Sequence, residues 1–408
     1  MDSKKRNKIF AISGEPVSGK GTAVKELKRR LLEEKYKEDK IHVISTGTEF
    51  RMYFEKIIEF LNNADNEEYL KKLAEYRQIK GILENKEYRQ ILVRLMTRLK
   101  EQKVDIEQID LAYINSSEEF SEIRKIVDFL IDSHIEEIGM EINKEEKPDE
   151  VWIFDSRMAF HNVPNAFSIR LTTNPKVAGQ RLFNDTTREK QDTYKSVEEA
   201  EKAREERRIA EIERYKQIYG VDVEDKENYD LVIDTSYSSV EDIVNTMLEC
   251  EKCKREDKPF GKTWASPLTM LPCQKIGETW DTQWGSSWTL EQLSDDILEK
   301  GYFPEQEIQI YKIDGINYIL EGHHRNFASI MAGKTLIPYI DLAQTEQGKE
   351  KIKKGAIPTC RQNDLFDHEA LVEKALITTS GDDTVVFSYS SIYPGILEKI
   401  KQKEGTSR

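Results

Sequence analysis

Residues 8–32 read Lys-Ile-Phe-Ala-Ile-Ser-Gly-Glu-Pro-Val-Ser-Gly-Lys-Gly-Thr-Ala-Val-Lys-Glu-Leu-Lys-Arg-Arg-Leu-Leu, and the organisation of the chain follows from this stretch. A β-prone run, Ile9 to Ile12, enters a loop carrying Gly14, Ser18, Gly19, Lys20, Gly21 and Thr22. A helix-period pattern leaves it, with Ala23, Val24, Leu27 and Leu31 on one face. Strand, loop and helix in that order make a candidate phosphate loop. The glycines let successive N–H groups turn toward one anion, the helix start adds its positive dipole end, and Lys20 supplies a mobile cation. The pattern departs from G-x-x-x-x-G-K-[ST] at Gly21, so the hydroxyl that would meet a Mg²⁺ ion comes one residue late, at Thr22. The bland alternative, a glycine-rich strand-to-helix turn, leaves the register of Lys20 unexplained.

A length of 408 residues implies two domains. Charged residues are 34% of the chain and hydrophobic ones 38%, with no apolar run long enough to span a membrane. The basic N-terminus runs into the first strand without a signal-peptide apolar core, so a cytoplasmic location is expected. A net charge of −14 disfavours broad nucleic-acid binding. The four cysteines suit a reducing compartment. Cys250 and Cys253 form a C-x-x-C that Cys273 could extend toward a zinc site, but no histidine stands at ligand spacing, and free thiols in a linker are the simpler reading.

Further β-prone runs occur at Ile41 to Ile44, Val151 to Phe154, Phe167 to Leu171 and Leu231 to Ile233. Helical segments separate them, which implies an α/β fold: a parallel sheet with helices on both faces. Residues 62–115 read as a helical insertion. Ser196 to Tyr219 is rich in Glu, Arg and Lys, as a solvated helix would be. A polar linker is expected at 251–264. Beyond it Ile308 to Ile313 and Asn317 to Leu320 flank Asp314-Gly315, a hairpin signal. The run ends in Glu321-Gly322-His323-His324-Arg325, followed by a helix expected over Asn326 to Ala332 and a strand over Leu336 to Leu342.

Gly14, Gly19, Lys20, Gly21 and Thr22, with Arg51 after the second strand and Asp155 and Arg157 after the third, lie at strand ends that converge on one crevice in a parallel sheet. On these residues the stretch 8–248 resembles a cytidylate kinase of the nucleoside monophosphate kinase group. Gly-x-x-x-Ser-Gly-Lys-Gly-Thr matches at 14–22, Ser45 to Arg51 resembles the substrate segment, and Asp155-Ser156-Arg157 resembles the element after the third strand. Arg204 to Tyr219 and Tyr229 to Ser236 resemble the lid and final strand. The resemblance implies ATP and Mg²⁺, with Thr22 and Asp155 toward the metal. It further implies a monophosphate held by Ser45, Arg51, Asp155 and Arg157, and a lid at about 185–218 whose Arg188, Arg204, Arg207 and Arg214 close on the transferring phosphates. Lys20 and Arg157 would act in the transfer. The insertion at 62–115 and Met158 after Arg157 depart from the pattern, which leaves the acceptor base open.

The smaller α+β segment at about 265–345, within a C-terminal domain expected to run to 408, resembles the ParB/sulfiredoxin-like fold. Leu-Glu-Gly-His-His-Arg and the "Ala-Gly-Lys-Thr-Leu-Ile-Pro" exit carry the resemblance. It implies a second phosphate loop at Glu321, Gly322, His323, His324 and Arg325; Glu278 is a guess at a general base. The expectation is an ATP-dependent phosphotransferase acting on CMP, dCMP or a related nucleotide. The alternatives are a nucleotide-gated regulatory or DNA- or partner-binding protein, and a serine-type small-molecule kinase working through the C-terminal segment. Nucleotide substrates are the expected partners, with nucleic acid disfavoured and no membrane; the oligomeric state is open.

Overall fold

Strands that are buried along their length belong in a sheet covered on both faces, and residues 9–14 and 167–171 have that character. The computed structural model describes residues 7–34, 36–185, 194–272, 279–280, 288–313, 316–353, 376–379 and 385–393. In chain order, β1 (Lys8–Gly14) leads to α1 (Lys20–Glu33), and β2 (Ile41–Ser45) to α2 (Thr46–Asn62). Then come α3 (Glu67–Leu73), α4 (Arg77–Glu84), α5 (Lys86–Glu101), α6 (Leu111–Ser116) and the long α7 (Ser121–Ile142). β3 (Val151–Asp155), α8 (Ala159–Asn162), β4 (Phe167–Thr172), α9 (Pro175–Asn184), α10 (Val197–Tyr219), β5 (Leu231–Asp234) and α11 (Val240–Arg255) follow. The remainder includes β6 (Thr263–Ala265), β7 (Met270–Pro272), β8 (Thr279–Trp280), β9 (Trp288–Thr289), α12 (Leu290–Lys300), β10 (Ile308–Ile313), β11 (Ile316–Glu321), α13 (His323–Met331) and β12 (Ile337–Asp341). Among the described residues no helix is long and apolar enough to cross a membrane.

The chain forms two compact units. The first comprises Met1–Ser13, Lys35–Ala166 and Asp185–Tyr194. Its strands lie in the order β2-β3-β1, all parallel, with Ile41 and Lys8 both in register with Val151. α2, α5 and α7 supply a core that includes Phe54, Ile57, Leu92, Leu95, Ile123 and Val127. The expected insertion at 62–115 is helical, as its spacing implies, and its helices start on polar caps: Asn85 accepts from the N–H groups of Glu87 and Tyr88, and Asp110 from that of Tyr113.

The second unit comprises Gly14–Glu34, Phe167–Asn184 and Lys195–Arg408. Its strands run β4-β5-β6-β12-β10-β11-β7. The pairs β4–β5, β5–β6, β10–β12 and β7–β11 are parallel, whereas β6–β12 and β10–β11 are antiparallel. The protein is thus a mixed α/β chain with a mostly parallel sheet. α1 lies on α11, with Arg30 donating to Asn245 Oδ1 at 2.6 Å. α9 meets α10 closely at Gly179, where a Cβ would come 2.8 Å from the Glu201 side chain.

The stretch 251–264, expected as a linker, holds the end of α11 and the start of β6. Lys252, Lys254 and Arg255 sit in the last turn of α11, where positive charge favours the helix dipole. Trp264 is buried and donates its indole N–H to the Gly261 carbonyl at 2.7 Å, anchoring the strand. Thr335, ahead of β12, is tied to the start of α11 by its N–H and hydroxyl, both donated to Asp242. The segment after α11 therefore continues the sheet of the second unit. The hairpin dipeptide Asp314-Gly315, Cys273, Cys360, Glu278 and Arg188 lie outside the described residues.

Candidate functional site

The loop between β1 and α1 is held by the second unit. Glu15 N–H donates to the Leu171 carbonyl at 3.0 Å, and the Thr235 hydroxyl lies 3.0 Å from the Ser18 carbonyl and 3.1 Å from that of Thr172. Gly14 is packed so tightly that a Cβ would stand 2.5 Å from Ser18 Oγ. Gly19 adopts φ 78° as the N-cap of α1 and contributes no side-chain cap, so the first-turn N–H groups have no acceptor within the helix. Val17, a β-branched residue, is held at φ 67°. That conformation is costly and is found where a ligand loop is over-determined by its surroundings. Ser18 Oγ is buried and has no hydrogen-bond partner among the described residues. A strained loop, an uncapped helix start and a buried unpartnered hydroxyl together suit an anion. Lys20 is half-buried at the first position of α1, while Gly21 and Thr22 are exposed.

Of the arginines expected to act from the lid, Arg204 is instead buried against the loop. It donates to the Glu15 carboxylate, to the Pro16 carbonyl at 3.3 Å and to Glu205 at 3.1 Å. Arg207 is exposed and donates to Glu211 at 3.1 Å. Arg214 is exposed, lies 5.0 Å from the Tyr215 ring centre and donates to its hydroxyl at 3.3 Å. Arg208, between Glu205 and Glu224, is held well above the ordinary guanidinium value, chiefly by its hydrogen bond to Glu205.

Sequence reading missed Arg170 and Arg181. Arg170, on β4, is buried, donates to the Val223 carbonyl and pairs with Glu15 at 3.5 Å and Glu224 at 3.6 Å. A lone arginine inside Phe-Ser-Ile-Arg-Leu was the available signal. Arg181 donates to the Thr235 carbonyl at 2.6 Å, and burial lowers its pKa. Burial also pushes the Asp234 carboxyl above the usual range, against two hydrogen bonds from Ser236.

In the first unit, Ser45 donates to Asp155 Oδ2 at 2.9 Å and Thr46 to the Asp155 carbonyl at 3.3 Å. Ser13 donates to the Arg157 carbonyl at 3.2 Å. Arg51 is exposed on the second turn of α2 and borders a cleft of about 340 Å³. The unit thus gathers Ser45, Asp155 and Arg157 at the carboxyl ends of parallel strands, with Arg51 on the helix that follows β2.

Thr22 and Asp155 each carry an oxygen donor of the kind a hard cation takes, and among the described residues no group of three or more His, Cys, Asp or Glu gathers to hold a metal. Cys250 is buried and Cys253 half-buried, both free on α11, and burial raises both thiols.

The expected second phosphate loop falls at the start of α13, a helix that begins three residues earlier than the expected Asn326. Gly322 at φ 101° is the N-cap, a conformation open to glycine, and it draws His323, His324 and Arg325 into the first helical turn. His323 is buried, and its ring bonds the Ile319 carbonyl. Burial, aided by His324, lowers its pKa to about 4. Arg325 donates to the Gln306 carbonyl at 3.0 Å. His323 is thereby a neutral, buried group at the start of α13.

A mixed α/β chain with a glycine loop leading from its first strand to its first helix has the build of a kinase-like, nucleotide-binding protein. The chain belongs to the cytidylate kinase-like family, whose model matches residues 9–237. It is similar, at 27% identity over 120 residues, to an S-adenosylmethionine-dependent nucleotide dehydratase of Lacinutrix mariniflava. That match covers 29% of this chain and 23% of the relative, so the chain spans about a quarter of the curated relative's length. Among solved structures it is similar to shikimate kinase from Bacteroides thetaiotaomicron, at 13% identity and a TM-score of 0.30, over 60% of this chain and 98% of that one. TT1252 from Thermus thermophilus matches at 15% identity and a TM-score of 0.29, over the same shares of the two chains, 60% and 98%.

Proposed function

We propose that the protein transfers the γ-phosphoryl group of ATP to a nucleoside monophosphate, with CMP or dCMP as the acceptor. The observation that carries this reading is the loop at 14–22, where the buried Ser18 hydroxyl lacks a partner beside the uncapped start of α1. A bound phosphate would satisfy both. Membership of the cytidylate kinase-like family favours a cytidine acceptor. The stretch shared with a protein named a nucleotide dehydratase supports nucleotide chemistry over a non-nucleotide acceptor.

Phosphoryl transfer leaves little covalent work to the protein, so its groups position and neutralise. In this reading the glycine loop and Lys20 hold the donor's outer phosphates, and Arg51 and Arg157 hold the acceptor phosphate. Asp155, braced by Ser45, orients the acceptor. Thr22 and Asp155 are the residues that would hold Mg²⁺, which when bound would supply charge neutralisation at the donor phosphates. Arg207 and Arg214, exposed on α10, join Arg188 as the lid residues proposed to close on phosphate; Arg204 acts through Glu15 on the loop.

The test is a coupled ADP-release assay of the full chain with ATP, Mg²⁺ and each common nucleoside monophosphate. CMP or dCMP should give the highest kcat/KM. Turnover of none of them, with ATP still bound, would refute the reading.

A further inference from the structure

The cleft beside Arg51 is built by two stretches far apart in sequence. α2 contributes Arg51, Phe54, Glu55 and Ile58, and the insertion contributes Ile109 and Leu111. At about 340 Å³ it lies within the span of small-molecule clefts, about 300–1,000 Å³. Its chemistry is graded. One cation stands at one end, apolar side chains from both stretches form walls, and carboxylates stand further along α2. With a rise of 1.5 Å per residue, Glu55 sits about 6 Å along the helix from Arg51. An anionic head followed by a flat ring with a hydrogen-donating edge matches that order.

Three carboxylates border the cleft, and two are already engaged. Glu59 accepts from Lys56 at 2.9 Å and 3.0 Å and from the Tyr69 hydroxyl at 3.3 Å. Asp110 caps α6 by accepting from the Tyr113 N–H at 2.8 Å. Glu55 is exposed in the cleft and has no hydrogen bond or ion pair among the described residues. We infer that this cleft is the base pocket of the acceptor, that the insertion at 62–115 exists to wall it, and that Glu55 selects a base bearing an exocyclic amine. The inference rests on the proposed kinase reading for the phosphate at Arg51. An ionised glutamate only accepts hydrogen bonds. It takes one from the amine of cytosine and faces the carbonyl of uracil, at the same ring position, with nothing to donate.

The experiment titrates CMP and UMP into the full chain by calorimetry, and measures turnover of both, for the native protein, Glu55→Gln and Leu111→Ala. CMP should bind about tenfold more tightly than UMP. Glu55→Gln can turn its amide to donate as well as accept, so the ratio should fall close to one mainly through tighter UMP binding. Leu111→Ala should weaken both nucleotides about equally by removing part of a wall. An unchanged ratio in Glu55→Gln, equal native affinities, or no binding of either nucleotide would overturn the assignment. Selective CMP binding that depends on Glu55, without turnover, would uphold the cleft and refute the kinase reading. Turnover of CMP and UMP alike, unaffected by Glu55→Gln, would uphold the kinase and overturn the cleft.

Discussion

Arg204 on α10 and Glu15 in the glycine loop form an ion pair closed off from solvent, the Arg204 side chain being 1% exposed. Glu15 also faces the buried Arg170 at 3.5 Å. Glu15 therefore joins two interior guanidinium groups, which Glu205 and Glu224 also pair, and fixes the loop to the helix above it. Glu15→Gln should destabilise the second unit by about 1–3 kcal/mol, the cost of weakening charged hydrogen bonds whose guanidinium groups keep Glu205 and Glu224. Urea unfolding measures this; a loss below about 1 kcal/mol would show that the network is not what holds the loop.

Thr235 supports the same loop from below. Its hydroxyl is shared between the Ser18 and Thr172 carbonyls and accepts from Arg181 at 3.3 Å. Thr235→Val keeps the shape and strands these partners, at about 1–3 kcal/mol. Steady-state kinetics should show a raised KM for ATP and an unaltered KM for the acceptor.

His323 makes the second unit acid-sensitive in a defined window. Its folded-state value is about 4 against the ordinary 6.5, so as pH falls the unfolded chain takes up the proton first. Its contribution is intact above about pH 6.5 and declines as pH drops toward 4, by up to roughly 3 kcal/mol. Thermal midpoints recorded across pH 4–7 should fall on the acid side, and His323→Gln should flatten that limb. An equally steep limb in the variant would assign the sensitivity to other groups.

At Gly322 the backbone has φ 101°, and a Cβ would come 2.6 Å from Ile308 Cδ1. Gly322→Ala combines backbone strain with a clash and should cost about 2 kcal/mol. The thermal midpoint of the purified variant reads the change, and an unchanged midpoint would mean that the helix start can relax.

The strands were legible because parallel strands are short apolar runs bounded by polar turns; Ile9 to Ile12 and Val151 to Phe154 fall inside β1 and β3. The start of α13 was not, because the left-handed turn at Gly322 outweighs the capping preference of Asn326. In α10 the arginines look alike in sequence. Their separation into buried Arg204 and exposed Arg207 is decided by Glu15, which lies far upstream. Arg170 was hidden for the same reason, its partners being Glu15 and Glu224. The cleft was beyond reach because Ile109 and Leu111 meet Arg51 only through folding. The run Lys252 to Arg255 resembles a linker in composition, yet those charges occupy the last turn of α11.

The central claim is that residues 14–22 hold the phosphates of a phosphoryl donor. Its most direct test follows ATP and CMP by phosphorus NMR with the full chain, beside a folded Lys20→Ala variant. The native protein should convert them to ADP and CDP. The variant should lose about 10³-fold in rate, because a cation aimed at the transferring group acts mainly on the transition state. Conversion at the native rate by the Lys20→Ala variant would contradict the account and move the catalytic site away from this loop.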